Sequence, residues 1–272
     1  MGKAKAWRMT HNGAVLAAFT ALVLVPWAWS GQAMRVSLAQ TLEGPSWVHP
    51  LGTDNLGRDL LARLGDAAAG AVLPLWAVVV AASVVGLALA LAAILAEERG
   101  RAAVRVFDTV AVLAAAVPVG LAAFGWAAWR ERAGLGPVML ALGVLFAVRT
   151  YLQVRDLHRH DRYLAFWTAH VALGGGLATR LWRYGVLGGW REALLDGLGF
   201  HLRAAVAIEA SLSYLGFGVE EPHASFGNML ASHLDLYLNG HWYVLAVVAT
   251  ALALAAAFPP CLVRVFGRGE IG

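Results

Sequence analysis

The sequence predicts an all-α protein that threads a membrane about six times. Three observations carry this. Of the 272 residues, 60% are hydrophobic and only 14% charged, with a mean hydropathy of +0.64, whereas soluble domains carry about 25% charged residues. Six segments reach or approach the roughly 20 apolar residues that a spanning helix needs. Lys and Arg are distributed unequally between the two sets of connecting segments. The 11 Trp and 30 Gly fit the same class, since Trp gathers at membrane interfaces and Gly is frequent in membrane helices.

The expected spans are 13–30, 70–95, 104–128, 134–153, 194–216 and 242–264. The first follows Lys3, Lys5 and Arg8 and continues to Trp27-Ala28-Trp29, with no small-x-small cleavage site following cleanly. It therefore reads as an uncleaved helix and not a signal peptide. The third contains Pro118, which predicts a kink. The fifth is polar for a span, with His201, Arg203 and Glu209. With the N-terminus inside, fifteen Lys and Arg fall in inner segments and five in outer ones, which places both termini on the inner side. No repeat and no low-complexity linker divides the chain, so 1–272 reads as a single membrane domain. The lone cysteine, Cys261, excludes an internal disulfide or a cysteine-based zinc site and reads as a packing residue.

The outer segment 49–64 holds His49-Pro50-Leu51-Gly52-Thr53-Asp54 and Leu56-Gly57-Arg58-Asp59. Thr53 or Asp54 is expected to cap a helix whose one face carries Leu56, Leu60, Leu61 and Leu64, with Asp59 and Arg63 paired four apart. That is an amphipathic helix lying on the membrane before the second span. The inner segment 154–193 is the most basic part of the chain. It includes Thr168-Ala169-His170-Val171-Ala172-Leu173-Gly174, where small residues suit close seating of a short helix and Gly suits its end. Binding of anionic lipid headgroups is an alternative use of such a loop. Further on, Leu187-Gly188-Gly189 can bend the entry to the fifth span.

Glu209 at membrane depth must face protein or water, and Ser213, four residues on, shares its face. Packing in the core is the first reading and contact with a transported substrate the second. The outer stretch after this span holds Glu220, Glu221, His223 and Asp235. Their spacing fits no metal template, and they read as solvated charges, as does the inner His158-Arg159-His160-Asp161. The chain has no phosphate-binding Gly-x-x-x-x-Gly-Lys-Ser/Thr loop, no Gly-x-Ser-x-Gly, no His-Glu-x-x-His and no Gly-x-Gly-x-x-Gly. No enzyme chemistry is indicated.

Residues 49–59, together with Glu209-Ala210-Ser211-Leu212-Ser213-Tyr214-Leu215-Gly216 and Ser225-Phe226-Gly227-Asn228-Met229-Leu230, resemble the permease subunits of bacterial ABC importers for dipeptides, oligopeptides and nickel, in the second, "C"-type branch. The resemblance covers most of residues 45–235. It implies a type I importer permease fold in a bacterial inner membrane, multi-pass, with both termini cytoplasmic. It implies a second permease subunit, two ATP-binding subunits that hold ATP and Mg, an extracytoplasmic substrate-binding protein and a peptide substrate. This chain would bind no cofactor, contact membrane lipid and bind no nucleic acid.

The resemblance further implies an outer signature (Gly52, Thr53, Asp54, Gly57, Arg58 and Asp59) near the face that docks the binding protein. It also implies a core signature within 209–230 (Glu209, Ser211, Ser213, Gly216, Gly227 and Asn228). ATPase coupling would fall to Thr168, Ala169, His170, Ala172, Leu173 and Gly174. This chain departs from the coupling pattern: Thr168 stands where the family carries Glu, and His170 where it carries Ala. Asp108 is expected near the inner interface. Nickel or another small solute is an alternative cargo, and a non-transporting scaffold is an alternative role.

Overall fold

The computed structural model describes residues 12–24, 33–97, 100–118, 120–122, 124–125, 134–161, 164–238 and 241–266. The Lys3, Lys5 and Arg8 group, the Trp27-Trp29 pair, the end of the third expected span and the last six residues lie outside them. Helix dominates, and the only β pairing among the described residues is an isolated bridge between Thr53 and Asp59.

Helix α1 is Asn12–Leu24. Helix α2 is one rod, Leu60–Glu97. Its first turns, Leu60–Asp66, pass through a wide stretch at Ala67–Val72 into Leu73–Glu97. The amphipathic helix expected on the membrane surface is therefore the first part of the second span. Asp59, not Thr53 or Asp54, caps it, accepting from the Ala62 N–H at 2.8 Å. Because the helix starts at Leu60, Leu56 precedes it and is exposed, while Leu60 and Leu64 are buried.

Helix α3 is Arg101–Ala116. It ends there instead of kinking, because Val117 is extended (φ −74°, ψ 126°). Proline disfavours helical backbone in the residue before it. Helix α4 is Leu135–Asp161, and its last two turns extend the fourth span into the expected inner loop. The rest of that loop is mostly helical as well: α5 is Ala165–Ala172, and α6 is Arg180–Gly189, kinked at Gly188. Helix α7 is Arg191–Tyr214, α8 is Phe226–Leu238 and α9 is Trp242–Phe266.

Among the described residues, three helices are long and apolar enough to cross a membrane: Leu60–Glu97, Leu135–Asp161 and Trp242–Val263. The α2–α4 contact is the most extensive, followed by α7–α9 and α8–α9. Apolar side chains from several helices meet in one core that includes Leu64, Trp76, Phe146, Leu202, Met229 and Val248. Phe19 of α1, Trp76 of α2 and Phe258 of α9 stack there with ring centroids 4.7–5.5 Å apart. The Trp76 indole N–H donates to the Leu202 carbonyl at 3.2 Å, so this buried ring leaves no polar atom unpaired. Cys261 is buried in α9.

Candidate functional site

Charged residues gather at the two ends of the bundle, roughly 50 Å apart along α2 at 1.5 Å per helical residue. At the first end, residues 33–59 fold into a compact cap. Ser37 N–H bonds to the Leu56 carbonyl, Leu42 N–H to that of Asp54 and Thr53 N–H to that of Glu43, at 3.0–3.1 Å. The Thr53 hydroxyl donates to the Gln40 carbonyl at 2.5 Å and accepts from Glu43 N–H at 2.9 Å. Asp54 Oδ1 takes the N–H groups of Leu56 and Arg58 at 2.9 Å. Thr53 and Asp54 thus build the cap, and the helix start is left to Asp59.

The side chains of the outer signature converge on a second segment far along the chain. Arg58 Nε donates to Asp54 Oδ2 at 2.7 Å. Arg58 Nη1 donates to Glu221 Oε2 at 2.6 Å, and Arg63 Nη2 to Glu221 Oε1 at 3.0 Å. Both arginines and Asp54 are buried, while the Glu221 side chain is 47% exposed. Asp59 pairs with His49 at 2.8 Å. Two expectations are corrected here. Arg63 pairs with Glu221 and not with Asp59, and Glu221 is the shared acceptor of two buried guanidiniums, not a solvated charge. Asp66 Oδ2 adds a link by accepting from the Ala224 N–H at 2.8 Å. Buried His233 of α8 lies beside this group; burial, first of all, pushes it below the ordinary histidine value.

The core signature joins α7 to the loop and to α8. Ser213 donates to Glu209 Oε1 at 2.6 Å and accepts from Val219 N–H at 2.9 Å. Glu209 is fully buried and faces protein, as its position requires. Asn228 Oδ1 takes Ser225 N–H, and its amide donates to the carbonyls of Val219 and His223 at 2.9–3.1 Å. Gly227 lets α8 approach α7, since a Cβ there would meet the Ala210 carbonyl oxygen. Gly216 turns the chain out of α7 at φ +83°. Ser211 points the other way, into an open groove of about 570 Å³ lined also by Ala207, Ala210, Tyr214, Ala249 and Ala253. Arg203 lies over the Phe200 ring and plays no part in holding Glu209.

At the opposite end, Arg155 of α4 bridges Glu97 of α2 at 2.9 Å and Asp108 of α3 at 2.8 Å. Tyr151 and Arg159 also donate to Asp108, at 2.5 and 2.7 Å. The His158-Arg159-His160-Asp161 stretch is only partly solvated: Arg159 and His160 are exposed, whereas His158 and Asp161 are not. His158 is buried edge-on to Trp190, and Asp161 accepts from the Trp190 indole at 2.6 Å. Among the described residues, no cluster of three or more metal-ligating side chains occurs. The Asp235 side chain lies outside them.

Beyond this cluster the short helix α5 is exposed. Thr168, Ala169, Ala172, Leu173 and Gly174 all face outward, and Leu173 is 86% exposed. Gly174 adopts φ +76°, and the Gly175 N–H reaches back to the His170 carbonyl at 3.0 Å. That is the bonding of a left-handed helix end. The His170 ring leaves the exposed face and packs edge-on to Tyr184 of α6 with centroids 5.1 Å apart.

Sequence reasoning missed Glu221, Arg63 and His233 as partners, because contacts made 158–163 residues apart leave no local spacing to read. It also missed the Glu97–Arg155–Asp108 bridge. Each of those three residues lies on a different helix, and only the packing brings them together.

No family model matches the chain. Curated proteins do. A protein of Brucella suis biovar 1 (strain 1330), named as a peptide transport system permease protein, is 31% identical over 245 residues, spanning 86% of this chain and 78% of that one. A protein of Escherichia coli (strain K12), named as a D,D-dipeptide transport system permease, is 25% identical over 272 residues, 96% of this chain and 85% of that one. A second Brucella suis protein, named as a peptide permease, is 29% identical over 198 residues, 72% of this chain and 63% of that one.

Proposed function

The chain belongs to the family of peptide transport system permeases, and from that premise we propose that it is the membrane-spanning permease of a bacterial ABC importer for peptides. In this reading it sits in the inner membrane with both termini in the cytoplasm. It pairs with a second permease, and two cytoplasmic ATP-binding subunits drive it. An extracytoplasmic binding protein delivers the peptide. The chain itself hydrolyses nothing, and ATP and Mg are held by the partner subunits.

One observation carries the proposal: a built, charged cap and a short exposed helix occupy opposite ends of one apolar bundle. The cap at 49–64 and 219–228, tied together by hydrogen bonds and ion pairs, offers a folded surface to a docking protein. Helix α5 presents Thr168, Ala169, Ala172, Leu173 and Gly174 outward, with the protruding Leu173 fit to enter a groove on an ATPase. The groove on α7 and α9, floored by Ala207, Ala210, Ala249 and Ala253, suits close approach of a helix from the second permease, because small residues let backbones come near in a membrane. ATP-driven closure of the ATPase pair would then pull on α5 and rock the helices between inward and outward access. The sequence difference at Thr168 keeps one second reading, a permease-like scaffold that no longer couples.

A pull-down in mild detergent with the tag on this chain separates the two. Recovery of a second permease and a phosphate-loop ATPase is the expected result. Recovery of the chain alone, under conditions that keep a control importer whole, contradicts the coupled permease.

A further inference from the structure

The outer cluster has an imbalance that its role as a cap does not explain. Arg58 and Arg63 are both buried, and the buried acid beside them is Asp54. Asp54 is already engaged on both oxygens. Its Oδ1 takes two backbone N–H groups, and its Oδ2 takes Arg58 Nε while lying 3.7 Å from Arg63 Nε, beyond hydrogen-bond reach. Asp59 is committed to His49 and to Ala62 N–H. One positive charge is left, and Glu221 neutralises it, each carboxylate oxygen taken by a different guanidinium. Even so, Arg63 Nη1 and His233 Nε2 are buried with no hydrogen-bond partner among the described residues.

We propose that Arg58 and Arg63 form a receiving site for the terminal carboxylate of a peptide, occupied in this structure by the chain's own Glu221. The proposal rests on the peptide-permease reading for the identity of the ligand, and on the geometry alone for the chemistry. Two guanidiniums that each read one oxygen of a carboxylate fit any carboxylate, and charge-assisted bonds of this kind are the strong ones. Glu221 reaches in from the half-exposed 219–225 loop, so it can leave without the helix bundle opening. Water cannot take its place cheaply, because a buried cation would lose its counter-charge. Only another anion can.

A peptide is favoured over an acidic patch of a docking protein by what surrounds the seat. Glu220 is exposed beside it, and a displaced Glu221 would join it. These two carboxylates repel an acidic surface but attract the ammonium of a peptide whose carboxylate sits between the arginines.

The test compares the wild-type assembly in nanodiscs with Glu221→Gln, in which the arginines remain and the internal carboxylate is gone. Unfolding temperature is followed in acetate and in chloride at equal ionic strength. Binding of trialanine is compared with binding of trialanine amide. Acetate is expected to stabilise Glu221→Gln and not wild type, and Glu221→Gln is expected to bind the free acid at least about tenfold tighter than the amide, the scale set by a charge-assisted contact. Glu221→Asp keeps the carboxylate, should resemble wild type, and separates loss of the occupant from misfolding. Equal responses of Glu221→Gln to acetate and chloride overturn the seat. An acetate response with no preference for acid over amide overturns the peptide as its occupant and assigns the seat to an acidic side chain of a docking protein. Neither readout needs transport, so a wild-type assembly that takes up no peptide counts against the proposed function and not against the arginine seat.

Discussion

Gly227 stands in the first turn of α8, where a Cβ would strike the Ala210 carbonyl oxygen of α7. Backbone cannot step aside as a flexible side chain can. Gly227→Ala is therefore expected to cost about 1–3 kcal/mol, the usual range for overpacking, and to lower the unfolding temperature. Gly120→Ala, which meets nothing, should leave it unchanged. His233 gives a pH dependence at the same scale. Its folded value lies below its unfolded one, chiefly through burial, so the native state holds it neutral. Stability is present above the unfolded value, about 6.5, and falls as the pH drops below it. Protection of the 49–64 amides, measured against their intrinsic exchange rate at each pH, should thus fall between pH 7.5 and 5.5, and His233→Gln should flatten that response. Thr168 is exposed, so Thr168→Glu places an acid on the surface of α5. A coupling permease should keep or gain substrate-stimulated ATPase activity, whereas an unchanged, unstimulated rate would favour the scaffold.

At the scale of elements, the Arg155 bridge ties α2, α3 and α4 together through one side chain. Arg155→Met keeps much of the volume but strands Asp108 and Glu97 without their shared cation. Breaking a buried pair from one side costs about 3 kcal/mol or more. Arg155→Met/Asp108→Asn should recover part of that loss, since it also removes the stranded charge; additive losses would mean the two do not act as a unit. The helices themselves were largely legible in the sequence, because 20-residue apolar runs report spans directly. Their ends were not. Helix α2 begins ten residues before the expected span because Asp59 caps it, and α3 stops at Ala116 because Pro118 dictates the backbone of Val117. Such boundaries depend on single side chains and not on average hydropathy.

Across the whole molecule, the motifs were visible in the sequence but their partners were not. Asp54, Arg58 and Asp59 could be singled out by local spacing, whereas Glu221 could not. It becomes Arg58's partner only after the helices α2 to α7 have carried the chain to the far end of the bundle and back. The same topology predicts which side each end faces. Trp47 is fully exposed at the cap end and Leu173 at the α5 end, and Cys261 is buried. In a background that labels weakly at Cys261, Trp47→Cys should react with an impermeant maleimide from outside intact cells, and Leu173→Cys only after the membrane is opened. Labelling of both from one side would contradict the arrangement.

The central claim is that this chain conducts peptide under the drive of ATPases in trans. It is tested most directly by uptake of a radiolabelled tripeptide into proteoliposomes that contain this chain with its co-purified partners. The account predicts accumulation that requires ATP on the side of α5 and the binding protein on the side of the cap, and that disappears when this chain is left out. Accumulation that persists without this chain, or ATP hydrolysis with no peptide entering when every partner is present, would contradict it.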